Sequence, residues 1–382
     1  MPVHPALGTT GRLPAEAFAR DPRTAGGLLR IDTAAIAENF RSLAAKVGAG
    51  RCAGVVKADA YGLGIDAVAP ALAGAGCSSF FVVHLNEAIA LQQVLPGPAR
   101  IFVLNGLAPG AEATCAEAGL IPVANHPGQV EAWATLSRQR GTRLPMALQL
   151  DSGMSRLGLS QAEVVALAAE PGLLEAVDLV LVMSHLACAD EPDRAASREQ
   201  LANFNAARAL LPPAPASLAN SAGIFLGDEF HLDLCRPGAA LYGLRTGPAA
   251  PPMRQTVQVS GRVAQIREIE RGSFVGYGYA FRAPGPMRLA TISVGYADGW
   301  PRNLGDGAAA WWGDARLPIV GRISMDSFVV DLAAAHNSPV VPGDFVELIG
   351  EHQTADDLAL AAGTIGYEIL TRLGHRFHRI LA

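Results

Sequence analysis

Cysteine is scarce and scattered in this chain. The five, Cys52, Cys77, Cys115, Cys188 and Cys235, form no C-x-x-C pair, and their number is odd. That pattern argues against a disulfide framework and a zinc site. It points to a reducing cytoplasm in which the thiols serve as small core residues. Long hydrophobic runs are missing too. No stretch of about 18 apolar residues occurs, so no transmembrane helix is expected. The opening MPVHPALGTTGRLPAEAFARDPRTAGG has no basic segment followed by an apolar one, so no secretion signal is expected. Positive charge is not in excess. Lys and Arg total 30 against 35 Asp and Glu, a net charge of -5, which argues against a nucleic-acid surface. No G-x-G-x-x-G follows the first strand, which weakens a dinucleotide-binding reading.

What is present is a large apolar content. Half of the 382 residues are hydrophobic and 17% are charged, so the chain can bury a sizeable core. The length suggests two domains. Residues 1–27, rich in Pro, Gly and Ala, read as a flexible leader. From there to about residue 248, short apolar runs alternate with Ala/Leu-rich amphipathic stretches. LLRID reads as a strand, and TAAIAENFRSLAAKV as a helix with Thr33 as its N-cap. The beat continues through CAGVVK, SSFFVVH, RIFVLNG, LIPVAN, PMALQLD and VDLVLVMSH, each followed by a helical stretch. Alternation at this spacing predicts parallel strands with crossover helices. Eight units fit an N-terminal (β/α)8 barrel over 28–248, with its site at the carboxyl ends of the strands. An open doubly wound sheet is the competing arrangement. After the Pro-rich TGPAAPPMRQ the texture turns β-rich and Gly-punctuated, predicting a mostly antiparallel C-terminal domain over 255–382. One final helix, TADDLALAAGTIGYEILTRLG, completes the expected order.

The stretch Val55-Val56-Lys57-Ala58-Asp59-Ala60-Tyr61-Gly62 concentrates the chemistry. Lys57 ends an apolar strand, where burial destabilises its ammonium. Two readings stand. Its stem can cover apolar neighbours while the charge reaches water. Alternatively it is a Schiff-base lysine, which needs a strand-end perch and partial desolvation.

The ordered series VVKADAYG, LDSGMSRLG, SHLACADEPD, NSAG, CRPGAALYG, VGYGYAF, ISVGYADGWPR, VGRISMDS and IGYEIL resembles the alanine racemase family across residues 28 to 380. The resemblance implies pyridoxal 5′-phosphate (PLP) as cofactor, held by Lys57. It implies a two-base racemisation of alanine, in which Lys57 serves one face of a planar carbanion. Tyr277 of the partner subunit in a head-to-tail homodimer serves the other. D-Alanine then feeds peptidoglycan or alanine catabolism. Tyr279, two residues on, would share a strand face with Tyr277.

Further roles follow from the same resemblance. Tyr61, Asn220, Ser221, Gly238 and Ala239 surround the phosphate. Arg236 meets the pyridine nitrogen and, having no lone pair to accept a proton, leaves it unprotonated. Arg236 paired with Asp233 is the plainer alternative. His185 packs against the ring and Tyr367 lies at the site entrance; a hydrogen-bonded structural His and a core aromatic are their plainer readings. Arg156 and Met325 bind the substrate carboxylate. Asp190, Tyr296, Arg302, Arg322 and Ile365 form the entryway, unless the charged ones are a surface ion-pair cluster. No metal is implied.

Two departures stand out. Gln149 replaces a lysine that is often carbamylated, so the Arg156 charge must be balanced by Asp151, by the substrate or by a bound anion. By strand alternation Gln149 and Asp151 share a face. Leu63 replaces a frequent His and reads as peripheral. The motifs specify the reaction better than the side chain, so a serine or broad-specificity racemase remains open. So does a PLP carrier without catalysis, although such proteins resemble the barrel alone.

Overall fold

A computed structural model describes residues 21–48, 50–304 and 307–382. Most of the expected leader, residues 1–20, therefore lies outside the described residues. Among those described, no helix is long and apolar enough to cross a membrane. Four of the five cysteines are buried, and burial pushes the Cys77 and Cys115 thiols up to about 12.

One unit comprises Ile31–Val257, Thr354–Leu373 and the last two residues. Its strands Gly54–Val55, Ser79–Val82, Arg100–Val103, Ile121–Ala124, Leu144–Gln149, Val177–Met183 and Ala216–Ser217 pair in that order, all parallel. Strands such as SFFV and IPVA are buried at every position. That is the reason they read as unbroken apolar runs: helices cover one face and the ring interior the other. Residues 233–237 complete the ring. Cys235 N–H donates to Arg51 O at 2.7 Å, and Ala53 N–H donates back to Cys235 O at 2.9 Å. On the other side Asp233 and Arg236 amides donate to Ala216 O and Ala219 O. The expected (β/α)8 class is thus present as seven strands and one short closing segment.

The first expected strand lies elsewhere. Gly27–Ile31 is not a barrel strand but joins the antiparallel sheet of the other unit, between Val257–Ile269 and His378–Leu381. The helix that follows, Thr33–Val47, is capped by Asp32, whose carboxylate accepts the Ala35 amide at 2.8 Å. Thr33 is its first residue instead of its cap, because the Asp32 carboxylate already occupies that role.

The second unit comprises the described residues up to Arg30, Gln258–Gln353 and Gly374–Ile380. Its eight-stranded, mostly antiparallel sheet turns on one 13-residue strand, Val257–Ile269. The first half pairs with Phe345–Ile349 and the second half with Met287–Ile292. Gly261 permits close packing there, since a Cβ would lie 2.5 Å from Ile292 Cγ2.

The expected final helix is two, Ala355–Ala362 and Gly366–Arg372, separated by Gly363 in the left-handed region at φ 68°. A strand, His378–Leu381, follows them.

Candidate active site

The strand Gly54–Val55 stops two residues before Lys57. Beyond it Ala58, Asp59, Ala60 and Tyr61 all have φ between 53° and 58°. Four consecutive non-glycine residues in this region form a left-handed turn, at a cost of about 1–2 kcal/mol each. Local hydrogen bonds offset part of that strain. Ala60 N–H donates to Val56 O at 3.0 Å, and Gly62 N–H to Ala58 O at 2.8 Å. Asp59 Oδ1 accepts the Ile65 amide at 2.7 Å. The turn ends at Gly62, φ 83°, where a Cβ would lie 2.6 Å from Leu370 O.

Lys57 and Tyr61 open into a cavity of about 510 Å³ at the carboxyl ends of the barrel strands. Arg156, His185, Asn220, Ser221 and Arg236 line it as well, with Gly238, Ala239 and Tyr367. At one end the Ser221 hydroxyl accepts the amides of Gly238 and Ala240 at 2.9 and 3.2 Å. Asn220 Oδ1 accepts the Gly223 amide at 2.9 Å. A Cβ on Gly238 would collide with the Tyr61 hydroxyl. The Tyr61 ring stacks on Tyr242 at 4.5 Å and meets Tyr367 at 6.0 Å.

At the other end Arg236 is 4% exposed. Its Nη2 donates to Ser184 O at 2.6 Å and lies 3.4 Å from His185 Nδ1, while Nη1 donates to the Ser217 hydroxyl. Among the described residues its Nε makes no hydrogen bond. Asp233 is not its partner; that carboxylate accepts the Ala216 amide at 2.8 Å. Burial lowers the Arg236 guanidinium to about 10, which leaves it charged at neutral pH.

A family model for the N-terminal domain of alanine racemase matches residues 31–246, and one for its C-terminal domain matches 256–381. A catabolic alanine racemase of Mesorhizobium japonicum is 52% identical over 356 residues, 93% of each chain. An alanine racemase of Brucella ovis is 48% identical over 385 residues, 95% of this chain and 96% of that one. The crystal structure of alanine racemase from Bartonella henselae with covalently bound pyridoxal phosphate superposes with a TM-score of 0.90. It is 43% identical and covers 94% of this chain and all of that one. The chain belongs to the alanine racemase family.

Within this alanine racemase fold the cavity is strongly cationic. Burial first, then Arg156 and Arg236, lower the Lys57 ammonium below its ordinary value, while Glu87 opposes the shift. Burial, with the same arginines and Lys57, holds the His185 imidazole down to about 3, so it is neutral. Tyr367 is raised to about 12 by burial and by Asp190 and Asp356. Arg156 is exposed and makes no ion pair among the described residues. Asp151 forms no ion pair with it. The strand ends at Gln149, so alternation does not carry on to Asp151, whose Oδ1 instead accepts the amides of Gly153, Met154 and Ser155. Gln149 is buried and donates to Leu157 O at 3.2 Å.

The entryway expectation divides between the units. Asp190 and Ile365 line a neighbouring hollow of about 460 Å³, which shares Asn220 and Tyr367 with the first. Tyr277, Tyr296, Arg302, Arg322 and Met325 belong to the antiparallel unit. All five are exposed, Tyr277 by 70%. None of the charged ones forms an ion pair among the described residues. Tyr277–Tyr279 is a short 3-10 turn and not a strand, so the two tyrosines do not share a strand face. Tyr242, Phe81 and Asn105 escaped the sequence reading. Asn105 carried a readable signal, a polar residue at a barrel strand's carboxyl end.

Proposed function

We propose that this chain is an alanine racemase in activity, interconverting L- and D-alanine with pyridoxal 5′-phosphate held at Lys57. The cavity fits that group at both ends. The phosphate end has the Ser221 hydroxyl, an Ala239 amide with no acceptor among the described residues, and a Gly238 surface that any side chain would fill. The ring end has the unspent Arg236 Nε–H and a neutral His185. When bound, the cofactor withdraws electrons from the substrate and acidifies its α-proton. Lys57, with its lowered pKa, takes or returns that proton on one face. Tyr277 of the partner subunit serves the opposite face, and Arg156 with the Met325 backbone holds the carboxylate. The Arg236 cation keeps the ring nitrogen unprotonated, because it offers only donors.

The observation that carries the reading is the single cavity joining Lys57, Tyr61, Ser221 and Arg236. A head-to-tail homodimer is part of the proposal. Tyr277, Tyr279 and Met325 on one unit, and Leu360 and Ile365 on the other, are large apolar side chains left exposed. We also read the barrel unit, 31–257 with 354–373 in place of the expected 28–248, as cofactor-binding, and residues 258–353 as a part that meets the partner. An anion, halide in character, balances Arg156 beside the neutral Gln149, since Asp151 is engaged by its own loop. Titrating chloride against activity tests it; a chloride-independent KM at constant ionic strength counts against the site. A cytoplasmic location and a role in peptidoglycan supply or alanine catabolism complete the reading. Two of the relatives are named catabolic. Deleting the gene and growing cells with alanine as carbon source, with and without D-alanine, separates the two roles.

The test is incubation with L-alanine in deuterated buffer, followed by enantiomer separation. D-Alanine carrying α-deuterium is expected, with slower turnover of L-serine. Tyr277→Phe should keep bound cofactor and lose racemisation. Deuterium in L-alanine without any D-isomer from the wild type would mean that only one face carries a working base. Mixing Lys57→Ala with Tyr277→Phe tests the shared site. Heterodimers then hold one intact site, and on the order of a quarter of wild-type turnover should return.

A further inference from the structure

Glu87 lies outside the cavity, yet it touches the segment that carries Lys57. Its Oε1 accepts the Ala58 amide at 2.7 Å, the first N–H after Lys57. Its Oε2 accepts the amides of Val83 at 2.7 Å and His84 at 3.1 Å. Those two follow the strand Ser79–Val82, the immediate neighbour of the Lys57 strand. One carboxylate therefore ties the start of the left-handed turn to the end of the adjacent barrel strand. The turn needs such a tie. Ala58, Asp59, Ala60 and Tyr61 occupy backbone space that L side chains disfavour, and none of the four is glycine. Lys57 and Tyr61, at the two ends of the turn, both face the cavity. A slip of the turn toward right-handed geometry moves both together.

We infer that Glu87 is a positioning residue, whose two-oxygen clamp on Ala58, Val83 and His84 holds the left-handed turn that aims Lys57 and Tyr61. The inference rests on Lys57 being the cofactor-bearing base. The clamp needs acceptors on both oxygens. A glutamine keeps the shape and one acceptor but turns an NH₂ toward one set of amides; an alanine removes both. The anion matters as well, because charged acceptors bind amides more strongly than neutral ones.

The test uses PLP-loaded wild type, Glu87→Ala, Glu87→Gln and Lys57→Ala. The readouts are cofactor per chain, the visible absorbance of the lysine-linked cofactor, its rate of loss to hydroxylamine, and kcat and KM for L-alanine per loaded chain. Misplacing a reacting group by about 1 Å costs about a hundredfold. Glu87→Ala should therefore lower kcat per loaded chain by about ten- to a hundredfold, with faster hydroxylamine loss and a KM within about twofold. Glu87→Gln should fall between. If Glu87→Ala does not fold, Glu87→Gln decides, with an expected loss of at least about threefold. Wild-type kcat and hydroxylamine rate per loaded chain in the folded variants, whatever their stability, would overturn the inference. Lys57→Ala separates the two readings. If it retains the lysine-linked absorbance, the Lys57 reading itself fails. If it loses that absorbance while the Glu87 variants behave as wild type, only the clamp fails.

Discussion

The Tyr242 ring lies 4.5 Å from that of Tyr61, and its hydroxyl donates to Val55 O at 3.0 Å. One fully buried side chain thus supports both the cavity tyrosine and the strand that leads to Lys57. Removing only the hydroxyl isolates the second function. Tyr242→Phe leaves a buried carbonyl without its donor, at about 1–2 kcal/mol, while the stack survives. Tyr242→Leu loses the stack too. Urea midpoints should fall for both, and the Kd for PLP should rise clearly only for Leu. Equal Kd values in the two variants would show that the stack does not position Tyr61.

Gly238 and Tyr61 test the proposed phosphate end. A Cβ on Gly238 would collide with the Tyr61 hydroxyl and lie 3.0 Å from Cζ. Gly238→Ala should push the phenol away and weaken PLP retention by about tenfold or more, or roughly 1.4 kcal/mol. Tyr61→Phe removes the colliding atom. The double variant Gly238→Ala/Tyr61→Phe should therefore bind PLP better than the two single losses predict. Simple additivity, measured by equilibrium dialysis, would mean that the collision is relieved elsewhere.

His185 supplies a pH signature. Burial first, and then Arg236, Arg156 and Lys57, lower its folded pKa to about 3 from the ordinary 6.5. Between those values the unfolded chain binds a proton that the fold refuses. The stability contributed by the neutral ring is complete above 6.5 and is lost as pH falls toward 3. The slope is at most about 1.4 kcal/mol per pH unit. Comparing the cofactor-free wild type with His185→Gln in urea from about pH 7.5 to about pH 4.5 isolates this group. The gap between the two stabilities should shift against wild type as pH falls. Parallel curves would place the imidazole in a more solvated setting than the structure gives it.

The barrel was legible because strands covered on both faces read as unbroken apolar runs, and their spacing leaves room for one helix each. The strand Gly27–Ile31 was not, since an apolar run does not say which sheet it joins. The left-handed turn was hidden as well. Ala-Asp-Ala-Tyr carries no local signal for positive φ, and tertiary contacts impose it. By contrast the Tyr277 turn and the break between the last two helices were announced by Gly276, Gly278 and Gly363. In the sequence these glycines sit inside stretches that read as strand and helix interior, where positive φ ends both. Cavity residues at strand ends were legible through their motifs. Glu87 and Tyr242 were not, because the Ala58 amide and the Val55 carbonyl that they bind lie in a distant segment.

In the antiparallel unit Asp298 offers a direct test of how two loops are held. Its buried carboxylate accepts Arg376 Nε and Nη2 at 2.6 and 2.8 Å and the Gly295 amide at 2.9 Å. Arg376 Nη1 reaches Asp326 at 2.7 Å. The loop it pins is strapped to the next, since Tyr296 N–H donates to Ser324 O and Ala297 N–H to Met325 O. Arg376→Ala leaves a buried charge with one amide, and the half-exposed guanidinium discounts the loss to about 1–3 kcal/mol. Arg376→Lys lacks the fork and should recover only part. If Met325 meets substrate and Tyr296 lines the entryway in the partner's site, KM for alanine should rise in Arg376→Ala more than kcat falls. A lower urea midpoint with unchanged KM would confine Arg376 to stability and leave the strapped loops independent of substrate binding.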